Sequence, residues 1–290
     1  MKEILRGVID LHVHAGPSVA KREVDAAEML KEAVEHGYRG FLIKDHYFPT
    51  MMSAQLVEKH LGKDNVKVFG AIALNNSVGG FNLKALDVAY SMGAKIVYMP
   101  TVSSNQHIED HKGHSFPGSG NAQVEEKPII YVDENGNLQE EVKDILKYVA
   151  KRPDLILGTG HGSAREVDAL ITEAVKAGVK KILVNHPFYL IGASMEQITK
   201  WGKMGAYIEL NACVFQPSNF GVTPLDIARQ VLENVPIEQI VLDSDYGQNK
   251  NGSPVEGLYK FIQILMNELN VTEEQINIMA KETPAKLLGI

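Results

Sequence analysis

The sequence predicts an α/β fold, a single-domain (β/α)8 barrel, and three observations carry that expectation. Short apolar strands alternate with amphipathic helical segments along the whole chain, eight strand candidates can be counted, and polar residues gather at the strand ends. Apolar strands alternating with helices specify a parallel sheet covered on both faces, and eight of them close into a barrel. The rival, a doubly wound open sheet, more often carries a glycine-rich nucleotide loop after its first strand, where this chain has Ala15-Gly16-Pro17-Ser18. At 290 residues the chain exceeds the usual single domain, but barrels routinely reach this size as one unit.

The elements follow in order. Residues 8–13 read as a strand that runs into His12-Val13-His14, and side-chain alternation turns both histidines to one face. Val24, Ala27, Leu30, Ala33 and Val34 fall at helical spacing across residues 24–36, and Gly37 stops that helix. Phe41-Leu42-Ile43 then leads to the polar tip Lys44-Asp45-His46. The same unit of helix, glycine, strand and polar tip recurs around Gly93, Gly178 and Gly205. The eight strands are expected to end near His14, His46, Asn75, Thr101, His161, His186, Glu209 and Asp245. Residues 102–138 break the spacing and read as a lid over the mouth, with His107, His111, His114 and a hairpin turning at Asn135-Gly136. Residues 254–268 read as the last barrel helix, and the tail opens on the N-cap Thr272 and looks structural, closing the barrel bottom or joining a partner subunit.

Composition sets outer limits. Hydrophobic residues make up 44% and charged residues 22% of the chain, as in a protein with a sizeable buried core. A formal net charge of -7 gives no basic face for nucleic acid, though it leaves room for a small anionic substrate in a local pocket. The single cysteine, Cys213, rules out an internal disulfide. With no leader-like or membrane-spanning run, the expectation is a cytoplasmic protein, homo-oligomeric, with a small-molecule substrate and neither nucleic-acid nor membrane partners.

In parallel barrels reactive groups sit at the C-terminal ends of strands. Five of the ten histidines fall at such ends: His12, His14, His46, His161 and His186. Two imidazoles on one strand face can share a divalent ion, whereas the bland alternative is two idle, partly exposed histidines. His161 lies between glycines that permit close approach, beside a Ser163/Glu166 capping box, and reads as a ligand. His186 follows the strand Ile182-Leu183-Val184 and reads the same way. Asp243 and Asp245 on one buried strand are costly unless paired or bound to a cation; Asp245, at the rim, is the better ligand. Lys44 is open between a substrate-anchoring cation, a carboxylated lysine bridging two metals, and a plain partner of Asp45. His46, Glu209 and His107 are candidates for substrate contact or for support of the metal. His111 and His114 are expected to be solvated.

These residues together make the sequence resemble the amidohydrolase superfamily. That family places His-x-His at the end of strand one, histidines at the ends of strands five and six, and an aspartate at the end of strand eight. Here those positions correspond to His12 and His14, His161, His186 and Asp245. No lysine or glutamate follows strand four, which runs Tyr98-Met99-Pro100-Thr101, and no N-terminal β-sandwich precedes the barrel. The likeness therefore narrows to the compact members, such as TatD-like hydrolases and the aminocarboxymuconate-semialdehyde decarboxylase group. A second resemblance, to the PHP phosphoesterases, rests on Asp10–His14, Lys44-Asp45-His46, Asn185-His186-Pro187 and Ser244-Asp245. It lacks that family's acidic residue on strand three and has Gly247 where a histidine is usual.

The resemblance implies a metal-dependent hydrolase acting on a small-molecule amide, cyclic amide or ester. His12, His14 and Asp245 would hold one divalent ion, and His161 and His186 a second ion or the substrate carbonyl. Asp245 would move the proton of the attacking water. Zinc suits a histidine-rich set, with manganese, iron or nickel able to bind the same ligands. The alternatives are a PHP-like phosphoesterase and a non-catalytic metabolite-binding barrel.

Overall fold

The computed structural model describes residues 3–62, 66–113, 116, 118–216 and 223–290. Eight strands form one sheet in sequence order: β1 (Ile9–Val13), β2 (Gly40–Ile43), β3 (Lys67–Ala73), β4 (Ala94–Tyr98), β5 (Ile156–Gly158), β6 (Ile182–Val184), β7 (Tyr207–Asn211) and β8 (Ile240–Asp243). Each pairs in parallel with the next, as the alternating pattern requires. Between and after them run α1 (Ala26–Glu35), α2 (Met51–Leu61), α3 (Leu83–Ser91), α4 (Asn105–Asp110), α5 (Glu140–Ala150), α6 (Ala164–Ala177), α7 (Met195–Lys203), α8 (Leu225–Asn234), α9 (Pro254–Leu269), α10 (Glu273–Asn277) and α11 (Thr283–Leu288). The (β/α)8 expectation holds. Among the described residues no helix is long and apolar enough to cross a membrane.

Local chemistry starts the helices where the sequence says. Asp25 accepts the backbone N–H of Ala27 and Glu28, each at 2.8 Å, so α1 begins inside the expected 24–36 window. Ser163 and Glu166 form the reciprocal capping box at the start of α6, and Thr272 caps α10.

The barrel interior is stratified. Ile9, Leu11, Leu42, Ile96, Ile156, Leu183 and Val241 fill its lower part and pack on Leu287 and Leu288 of α11. The tail therefore closes the bottom, one of its two expected roles. At the seam between first and last strands the pairing thins to a single bridge, Val13 with Tyr246. Asp245 N–H donates to the His12 carbonyl at 2.8 Å and His14 N–H to the Tyr246 carbonyl at 2.9 Å. Asp10 stitches the same seam, its Oδ1 accepting from the His12 and Ser244 amides at 3.0 and 3.1 Å.

Two local readings need correction. The hairpin after Pro128 reduces to one antiparallel bridge, Val132 with Leu138, around the Asn135-Gly136 turn; Ile129 instead pairs in parallel with Ser104. The insertion also contains helix α4, capped by Ser104 Oγ on the His107 amide. Its remainder packs down, with Gly120 bridging Ala20 and its amide donating to Tyr47 Oη at 2.7 Å. His114 lies outside the described residues.

Candidate metal centre at the barrel mouth

The strand ends deliver their polar residues to one place. His12 is within β1, while His14, His46, His161, His186 and Asp245 sit one to three residues beyond their strands. His186 and Asp245 adopt φ of 47° and 52°, a left-handed conformation that non-glycine residues rarely accept and that costs roughly 1–3 kcal/mol. Such backbone persists where the surroundings hold it, and here both residues face the same mouth.

One half of the mouth is built on carboxylates. Asp245 Oδ1 lies 3.1 Å from His12 Nε2 and 3.0 Å from His14 Nε2. Asp245 Oδ2 lies 3.8 Å from His186 Nε2 and accepts from Cys213 Sγ at 3.0 Å. Behind them, Glu209 Oε1 is 3.2 Å from His12 Nδ1 and is itself held by the Asn185 amide at 2.9 Å. Asn211 Oδ1 is 3.0 Å from His186 Nδ1, and its Nδ2 donates to Glu209 and Asp243 at 3.1 and 2.6 Å. Asp243 thus belongs to a polar network below the rim. Two overlapping groups bring their ligand atoms within 4.8 Å of one another: His12, His14 and Asp245, and His12, His186 and Glu209.

This donor set fits a divalent cation. Two imidazole Nε2 atoms converge on one carboxylate oxygen, and His14 Nε2 has no hydrogen-bond partner although it is buried. Glu209 on His12 Nδ1 is the carboxylate–histidine arrangement that leaves Nε2 for a metal. Lys44 enters the same space, its Nζ 2.9 Å from His12 Nε2 and 4.7 Å from the Tyr98 ring centre. It does not pair with Asp45, which accepts Arg22 Nη2 at 2.8 Å.

The other half holds imidazoles without carboxylates. His161 Nδ1 lies 3.1 Å from His107 Nδ1, with the two rings stacked at 5.1 Å. His111 stacks on His107 at 4.2 Å, so it lines the mouth rather than standing in solvent. Phe116 meets the His107 ring edge-on at 4.7 Å. His46 is 2.9 Å from Thr101 Oγ1 through its Nδ1, and its ring is 5.0 Å from that of His14. The Nε2 atoms of His107 and His161 are buried without a partner. Between the halves lies a cavity of about 30 Å³, reached by His14, His46, His161, His186, Asp245 and Gln248.

Electrostatics separates the groups. Burial, reinforced by the Arg22 charge, pushes His14 down to about 3. Burial likewise takes His107 to about 3 and His186 to about 4, and holds His46 and His161 well below the usual histidine range. These imidazoles are neutral, the state a metal ligand needs. Burial works to raise Asp245 and Glu209, but the groups around them outweigh it, His12 and His186 foremost, keeping Asp245 well below its usual value and Glu209 at about 2. Burial dominates for Asp243, raised well above its usual value, and for Lys44, lowered.

The expected ligands and supports therefore do meet: His12, His14, His186, Asp245, Glu209 and Lys44 in one half, His46, His107 and His161 in the other. Arg22, Cys213 and Gln248 are additional and had no local signal, because each reaches the mouth only through tertiary folding.

Residues 7–209 match the family described as DUF6282, a family of unknown function. No curated protein matches the sequence. Among solved structures, an amidohydrolase from Pseudomonas aeruginosa is similar over 99% of this chain and 97% of its own, with a TM-score of 0.65 at 10% identity. The dipeptidase AC, a metallo peptidase, aligns over 98% of both chains with a TM-score of 0.59 at 12% identity. An organophosphorus hydrolase from Deinococcus radiodurans aligns over 99% of this chain and 94% of its own, with a TM-score of 0.60 at 12% identity. All three share the barrel fold with this chain.

Proposed function

This chain belongs to the DUF6282 family, and on that premise we propose that it is a cytoplasmic metal-dependent hydrolase of small-molecule amides, cyclic amides or esters. The observation that carries the reading is the convergence of His12 Nε2 and His14 Nε2 on Asp245 Oδ1, at 3.1 and 3.0 Å. His12, His14 and Asp245 would hold a divalent cation, most suitably zinc, with manganese, iron or nickel as candidates for the same donors. His161 and His186 would hold a second ion or the substrate carbonyl. A divalent cation held there supplies Lewis acidity and brings the pKa of water down to about 7.

The remaining work falls to the side chains. Asp245 stands at the rim with its Oδ2 turned to Cys213 and His186, placed to take a proton from the attacking water and return it to the leaving group. Glu209 fixes the His12 ring through Nδ1, and Asn211 fixes that of His186. The neutral imidazoles of His46 and His107 line the opposite wall as substrate contacts. The phosphoesterase alternative asks His46 to bind metal, and neither ligand group among the described residues includes it.

Metal analysis of purified protein, wild type against His12→Ala, tests the reading. Close to one or more equivalents of tightly held divalent ion is expected in the wild type, and loss of it in the variant. Less than roughly half an equivalent after loading would overturn the proposal.

A further inference from the structure

Among the described residues Arg22 is the guanidinium drawn toward the mouth, and its bonding there is incomplete. It leaves the loop after β1, and its backbone forms an antiparallel bridge with Gln248, which lines the central cavity. The side chain is 3% exposed. Its Nη2 donates to Asp45 Oδ2 at 2.8 Å, while Nε and Nη1 are buried with no hydrogen-bond partner among the described residues. The pairing cannot be bidentate, because Asp45 Oδ1 accepts instead from the Tyr47 and Phe48 amides at 2.8 and 3.1 Å. Gln248 Oε1 is likewise buried without a partner.

Five donors in a rigid fork with no acceptor of its own make an arginine costly to bury half-satisfied. A site that strands such donors beside a cavity is satisfied by a ligand that brings acceptors. The bridge partner of Arg22, Gln248, lines that cavity and reaches Asp245 Oδ1 with Nε2 at 3.5 Å, and its ion-pair partner Asp45 directly precedes His46 of the cavity wall. Arg22 therefore stands beside the proposed reaction centre, not on a remote surface.

We propose that Arg22 is the specificity residue of this site and that it recognises a carboxylate on the substrate. This deepens the hydrolase reading and rests on it: the substrate becomes an amide, cyclic amide or ester that also carries a carboxylate next to the scissile group. A monoanion suits the local balance. Asp45 already offsets the Arg22 charge, so the fork offers directed donors more than net positive charge, which suits a monoanion better than a phosphate dianion. A planar carboxylate also matches the planar guanidinium, which a lysine ammonium would not reproduce.

The test uses the metal-loaded full chain and three probes of similar size: acetate, acetamide and inorganic phosphate. Thermal shift and titration calorimetry read binding, and metal content is measured on every sample. Acetate is expected to bind better than acetamide or phosphate. Arg22→Lys should weaken acetate by about tenfold or more with metal content unchanged, since a hydrogen bond to a charged group is lost. Arg22→Met leaves Asp45 buried and unpaired, so the double variant Arg22→Met/Asp45→Asn, which removes both charges together, is the folded control. That variant should bind acetate and acetamide alike. Equal acetate binding by wild type and double variant overturns the proposal, as does tighter binding of phosphate or acetamide than of acetate by the wild type. Wild-type protein that holds less than roughly half an equivalent of metal after loading, yet still prefers acetate through Arg22, would overturn the hydrolase reading and leave the carboxylate site standing.

Discussion

The two halves of the barrel mouth use the same residue type to opposite ends. On the β1, β6, β7 and β8 side every histidine stands against an oxygen: His12 lies beside Asp245 and Glu209, His14 beside Asp245, and His186 beside Asn211. On the β2, β4 and β5 side the histidines meet mainly one another, His161 on His107 and His107 on His111, with His46 on Thr101 as the exception. Negative charge draws a cation, so the proposed first ion would sit in the first half. The second half, neutral and aromatic, would meet the substrate or, through His161, a second ion. The difference teaches that a count of histidines says less about a metal site than the carboxylates that orient them.

Four experiments would break or sharpen that contrast. The largest effect is expected from Asp245→Asn, which leaves both Nε2 atoms without their shared anion; hydrolysis should fall about 10²–10⁴-fold and metal affinity with it. Unchanged metal content by elemental analysis would move the cation site elsewhere. Next, Glu209→Gln should lower metal affinity about 10–100-fold in a chelator competition while the fold melts normally. His161→Asn should remove a second equivalent of metal where one is held and otherwise leave metal content intact, so stoichiometry decides which half the second ion uses. The smallest effect is Lys44→Met: with the Nζ withdrawn from His12 Nε2, affinity should rise a few-fold, on the order of 3 to 10. A fall instead would show that Lys44 carries a carboxylate and serves as a ligand.

Acid bears on the buried imidazoles of both halves, His14 and His186 as well as His107. His107 is buried neutral, about 3 in the folded chain against its usual 6.5, so the unfolded chain binds the proton more tightly. Stability from such a group is complete above 6.5 and is lost as pH falls through the window toward 3. The melting temperature of the metal-free protein should therefore drop steadily below pH 6.5, and His107→Phe should flatten the drop.

The barrel and most of its mouth were legible in the sequence because both follow from local rules. Alternating apolar runs and glycine-terminated helices mark the strands, and polar tips such as Lys44-Asp45-His46 mark where they end. The strands themselves stop sooner than the tips suggest, since His186 and Asp245 leave extended geometry for left-handed backbone, which no residue pattern announces. Asn135-Gly136 correctly signalled a turn, but Ile129 found its partner in Ser104 across the loop, so the hairpin is cut to the short stretch Tyr131–Gln139. Arg22 was invisible for a stronger reason. Its meaning depends on Asp45, 23 positions away, and on what Asp45 leaves unpaired. His111, read as solvated, is covered because α4 stacks it on His107.

The seam between β1 and β8 gives the site a second meaning. His12 and His14 stand on one bank, Asp245 on the other, and a few backbone bonds, Asp10 and the Ser244 hydroxyl join the two banks. An ion gripped across that gap would act as the clasp of a bracelet, fastening the first strand of the chain to the last.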